Sequence, residues 1–104
     1  MKQNLFQDIP ENIPEEIIET IIESDSIRIE RIISKGQISP PNFWYDQDKN
    51  ECVIVIKGKA RLQFEAGSII KLVEGDFINI PAHQKHRVEW TDPKSETIWL
   101  AIFY

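Results

Sequence analysis

One cysteine, one methionine, two histidines and four glycines are all that this 104-residue chain holds of those residue types. The lone cysteine, Cys52, excludes an internal disulfide, and nothing points to an oxidising compartment. No apolar run approaches the roughly 18 residues that a membrane helix requires. The opening Met-Lys-Gln-Asn-Leu-Phe-Gln-Asp has neither a long apolar core nor a small-residue cleavage site, so it does not read as a secretory signal. A cytoplasmic protein with no membrane partner is expected. The glycines, at 36, 58, 67 and 75, are scattered and form no phosphate-cradling pattern. Bases are outnumbered, 12 against 17 acids, and form no stripe, which excludes a nucleic-acid partner.

The net charge of −5 is unevenly placed. Residues 1–25 carry seven acids against Lys2, so the acidity belongs to an N-terminal arm and the remaining body is nearly neutral. Within that arm Ile13, Ile17, Ile18, Ile21 and Ile22 recur at the spacing of one helical face. Pro14 suits a first turn, and Glu15, Glu16 and Glu19 suit the positive end of a helix dipole. The expectation is an acidic arm, residues 1–25, with a short amphipathic helix packed on a barrel formed by residues 26–104.

From Ser26 onward the period changes to two. Strands are expected at Ser26–Ser34, Cys52–Ile56, Ala60–Glu65, Ser68–Val73, Phe77–Ile80, His86–Thr91 and Thr97–Tyr104, with a further short one at Phe43–Gln47. Polar or glycine turns separate them. Eight or nine short strands so spaced indicate an all-β sandwich or barrel. The last strand, Thr-Ile-Trp-Leu-Ala-Ile-Phe-Tyr, is apolar on both faces. Its outer face needs a cover, either the arm or a second subunit, and a homodimer is expected on this ground.

Two segments carry the chemistry. Glu51 opens a strand in which Val53 and Val55 share its face, so its carboxylate points inward and needs a partner. Gly75 to His86 contains both histidines. His86 opens a strand in which Val88 and Trp90 would share its face, which also directs it inward. Trp44, Tyr45, Phe64 and Trp90 are candidates for an apolar pocket or for plain core. Arg87 and Glu89 should face away from the barrel.

These segments resemble the two motifs of the cupin family, a jelly-roll (double-stranded β-helix) barrel. The first motif ends in a glutamate, six residues and a glycine, matched by Glu51 and Gly58. The second is a glycine, five residues, a proline, a position usually glycine two residues later, and a histidine three further on. Gly75, Pro81, His83 in the glycine slot and His86 match it. The resemblance covers roughly residues 27–104. It implies a small-molecule ligand in the barrel and a divalent metal held by three histidines and a glutamate. Here Trp44 and Asp46, or Tyr45 and Gln47, stand where the first motif's paired histidines would be. The metal set implied is therefore Glu51 and His86, with Asp46 or Gln47 and His83 as further donors, suited to Zn²⁺, Fe²⁺, Mn²⁺ or Ni²⁺. His83 also suits a turn, since histidine tolerates positive φ better than most bulky residues. Three functions stay open: a metal-assisted reaction, a metal-free sugar isomerase or epimerase with His86 as catalytic base, and a non-catalytic ligand-binding module.

Overall fold

The computed structural model describes residues 1–104. Eight strands follow in order: β1 Ile17–Glu23, β2 Arg28–Ser34, β3 Glu51–Lys57, β4 Lys59–Phe64, β5 Ile69–Val73, β6 Phe77–Ile80, β7 His86–Thr91 and β8 Thr97–Phe103. They form a five-stranded sheet, β1-β2-β8-β3-β6, and a three-stranded sheet, β5-β4-β7, with every pairing antiparallel. The fold is an all-β jelly-roll barrel.

Between the sheets lie Val53, Val55, Ala60, Leu62, Phe64, Leu72, Ile80, Trp99, Ala101 and Phe103, all nearly buried. They come from alternate positions of their strands, as side chains on a pleated sheet must to share one face. Glycine is required where β3 crosses to β4. Gly58 has φ +89°, and a Cβ there would meet the Glu96 carbonyl oxygen at 2.7 Å.

The expected N-terminal helix is not formed. Residues 17–23 are β1, an edge strand paired with β2 from Ile17↔Ile33 to Glu23↔Arg28. The doublets Ile17-Ile18 and Ile21-Ile22 satisfy a helical period, but β-branched Ile and Thr favour a pleated surface. The open edge of β2 also supplies backbone partners that an isolated helix would lack. A register shift between Thr20 and Ile22 reconciles the doublets with strand alternation.

The arm still covers part of the sheet's outer face. Arg31 donates to the Leu5 carbonyl at 3.0 Å and the Gln7 carbonyl at 2.7 Å, and its Nε donates to Glu19 Oε1 at 2.8 Å. Ile13 is buried, as are Ile33 and Ile98. Leu100 and Ile102 stay half-buried, and Phe77 is 69% exposed.

Two other expectations change. Phe43–Gln47 contributes a single bridge, Tyr45↔His86, rather than a strand. Trp90 does not share the face of His86. The β4–β7 pairing runs Arg61↔Trp90 and then Leu62↔Val88, so Glu89 is an extra residue. Such a bulge inverts the alternation beyond it. Trp90 lies under the Arg61 guanidinium, 4.8 Å from the ring centroid, and Thr91 turns in.

Candidate functional site

The barrel encloses a cavity of about 150 Å³. Its polar wall is Glu16, Arg28, Glu30, Tyr45, Gln47, Glu51 and His86, against an apolar back that includes Ile32, Val53, Leu62, Val88 and Trp99.

His86 is fixed from several directions. Pro81 ends β6's run, and the Gln84 N–H donates to the Pro81 carbonyl at 3.2 Å, turning the chain. Within that turn His83 takes φ 66°, the left-handed conformation that suits a glycine slot. His86 then enters β7 opposite Phe64, and its backbone bonds Tyr45 in both directions, at 2.7 and 3.2 Å. The Tyr45 ring stacks on the imidazole with centroids 5.5 Å apart.

Both ring nitrogens are engaged. Nδ1 lies 2.8 Å from the Gln84 carbonyl oxygen, and Nε2 lies 3.3 Å from Glu51 Oε1. A carbonyl only accepts, so Nδ1 carries a hydrogen. A neutral ring would then turn the Nε2 lone pair toward a carboxylate oxygen. Protonation of Nε2 replaces that unfavourable contact with an ion pair, so Glu51 favours the charged ring. Burial pushes the His86 pKa down. The hydrogen bond to Glu51, the Gln84 carbonyl and the Glu51 charge together outweigh burial and hold the pKa above the ordinary imidazole value.

Three more charged residues of the wall, Glu16, Arg28 and Glu30, were not assigned from sequence. Glu16 Oε2 accepts from the Ser34 hydroxyl at 3.0 Å, and Ser34 Oγ accepts from Trp99 Nε1 at 3.2 Å. Burial raises the Glu16 pKa, and the Ser34 bond offsets part of that. Arg28 Nε donates to Glu30 Oε2 at 3.1 Å, and its guanidinium lies 4.3 Å from the Phe103 ring centroid. The alternation of β2 does place Arg28, Glu30, Ile32 and Ser34 on one face, but nothing in the sequence says that this face is the inner one. A helical reading of the arm hid Glu16 altogether.

Of the five candidate metal donors, Glu51 and His86 converge and Gln47 lies in the same wall. Asp46 and His83 are elsewhere. They bond each other, Oδ1 to Nδ1 at 2.8 Å, outside the barrel mouth, with side chains 43% and 68% exposed. They border a separate depression with Lys49 and Asp48, which adjoins the cavity along Arg28, Gln47 and Phe103. No three His, Cys, Asp or Glu side chains gather closely enough to hold an ion. One imidazole and one carboxylate fall short of the three or four protein ligands usual for a resident metal, so the donor set does not fit one.

Residues 30–103 match the model of the family described as the cupin domain. No curated protein matches the chain. Among solved structures, a proposed mannose-6-phosphate isomerase from Ralstonia eutropha is 43% identical, with TM-score 0.95 over 99% of this chain and 96% of that one. A cupin superfamily protein from Desulfitobacterium hafniense is 20% identical, with TM-score 0.76 over 91% of this chain and 82% of that one. A Streptococcus pyogenes protein of unknown function is 16% identical, with TM-score 0.78 over 99% and 85%. The last two share the fold. No helix in the structure is long and apolar enough to cross a membrane.

Proposed function

This chain belongs to the cupin domain family, and from that premise we propose that it binds a small polar molecule in the barrel and exchanges a proton with it through the His86–Glu51 pair. The observation that carries this reading is the position of His86 in the cavity wall, with Nδ1 tied to the Gln84 carbonyl and Nε2 3.3 Å from Glu51 Oε1. An imidazole of raised pKa, held in one orientation beside a carboxylate, is a pair in which one member can give a proton and the other take one, as general acid–base catalysis requires. The chemistry it fits is removal and return of a proton on a carbon next to a carbonyl, as in isomerisation of a hydroxy aldehyde to a ketone. The name of the Ralstonia eutropha relative, a sugar phosphate isomerase, supports the same class.

The cavity limits the substrate. A volume of about 150 Å³ is that of an apolar cavity that takes up benzene. It admits a head group rather than a whole hexose phosphate.

The test is hydrogen exchange in D₂O. Small hydroxy aldehydes and ketones would be incubated with the protein, and the carbon-bound proton followed by NMR. Exchange is expected to survive chelation by EDTA and to fall by about 10²-fold or more in His86→Gln. Exchange abolished by EDTA and restored by one metal would overturn the metal-free reading. Ligand binding without exchange would reduce the chain to a binding module.

A further inference from the structure

The charges lining the cavity do not balance. Its wall holds three carboxylates, Glu16, Glu30 and Glu51, against one guanidinium, Arg28, and one imidazole, His86. Both bases are already engaged, Arg28 with Glu30 and His86 with Glu51. Glu16 has a hydroxyl partner, Ser34, and no basic one. With His86 protonated one negative charge is left over, and with it neutral there are two. The three carboxylates line one cavity, and after burial the charges of Glu16, Glu51 and Glu30 all raise the pKa of the Tyr45 phenol.

A second observation shows how this wall receives a cation. The Arg28 guanidinium sits against the Phe103 ring at 4.3 Å while its Nε donates to Glu30. Carboxylate on one side and aromatic face on the other is the arrangement that recognises ammonium and guanidinium groups. Glu16 lies near Trp99, since Ser34 bonds both, and Tyr45 and Glu51 line the same cavity. Nothing comparable serves an anion, because the mouth depression mixes Arg28, Lys49 and His83 with Asp46 and Asp48.

We propose that the ligand of the barrel is a small compound with a protonated amine, its ammonium held by Glu16 against the aromatic wall, and that the cavity rejects anionic ligands. This rests on the cavity being the binding site, and it places the amine beside the hydroxyl or carbonyl group on which the proton transfer acts. Size restricts the buried part to about ten non-hydrogen atoms or fewer, since a cavity of about 150 Å³ holds a benzene-sized guest. The proposal sets this chain apart from the phosphorylated sugar in its relative's name.

Three molecules of nearly equal size and different charge test it: benzylamine, benzyl alcohol and benzoate. Binding to the full chain at pH 7 would be measured by calorimetry and by tryptophan fluorescence. Benzylamine, protonated at that pH, is expected to bind about tenfold more tightly than the alcohol, and benzoate more weakly than the alcohol. In Glu16→Gln the advantage of the amine over the alcohol should disappear. Benzoate binding as well as the amine, or an amine preference that survives Glu16→Gln, overturns the proposal. Equal binding of all three also overturns it but leaves the cavity as a binding site. Binding of none defeats both readings. The charge series on the unaltered chain decides the matter even if the variant folds poorly.

Discussion

Replacing Glu51 by Gln isolates its hold on the His86 proton. The amide keeps the shape of the side chain but removes its charge. Two of the three influences that raise the His86 pKa, the hydrogen bond to Glu51 and the Glu51 charge, are thereby lost, while the burial that lowers it remains. The His86 pKa should therefore move from above the ordinary value to below it, a change readable from the ring protons by NMR. The two side chains are 6% and 10% exposed, so little solvent screens the pair. Losing a buried hydrogen bond to a charged group costs about 1.5–3 kcal/mol. The pH dependence is the sharper criterion. A folded pKa above the unfolded value means that the native state holds the proton more tightly. That contribution is full below about pH 6.5, the ordinary imidazole value, and fades as pH rises through the folded pKa. The destabilisation by Glu51→Gln, measured by urea unfolding, should thus be larger near pH 6 than near pH 9. Glu16, whose pKa is also raised, gives both proteins a trend of the same sign at lower pH, and it cancels in the difference. Equal destabilisation at the two pH values, with an unmoved His86 titration, would refute the coupling of His86 to Glu51.

Two further outcomes follow from the fold. Gly58→Ala would place a Cβ 2.7 Å from the Glu96 carbonyl oxygen at φ +89°. A loss of about 2 kcal/mol or more in chemical unfolding is expected, and a neutral result would mean that the β3–β4 turn is not held as described. The outer face of the larger sheet leaves Ile54, Leu100 and Ile102 half-buried and Phe77 exposed. A homodimer through that face is expected by light scattering, with Leu100→Glu giving a folded monomer. A monomeric unaltered chain at high micromolar concentration would count against it.

The sequence exposed the barrel because most of its strands alternate cleanly between turns. Glu51, Val53 and Val55 share a face by parity alone, and that parity holds in the structure, where all three are buried. Parity failed in two places, each for a physical reason. The bulge at Glu89 reverses the facing of everything after it in β7, so Trp90 leaves the interior. The isoleucine doublets of β1 fit two periods at once, and only the free edge of β2 decides between them. That second failure concealed Glu16, which enters the cavity from the segment just before β1. The positions that displace the first motif's histidines also resolve by facing: Tyr45 and Gln47 line the cavity, while Asp46 turns out to His83.

The cavity wall makes poor sense as a device for stability. Arg28, Glu30, Glu51 and His86 occupy inward positions on strands whose other inward residues are Ile32, Val53, Val55 and Val88. Well-packed apolar side chains there would avoid the desolvation of two ion pairs, and such replacements are often neutral or stabilising. Glu16 costs more again, since burial works against its charge and no base answers it. Solubility does not demand these groups, because the rest of the arm already carries an acidic surface. A fold that keeps three carboxylates, a guanidinium and an imidazole around a benzene-sized space has its interior arranged for something that enters it. On the proposed reading, that entrant supplies hydrogen-bond donors, a positive charge for Glu16, and a carbon acid within reach of His86.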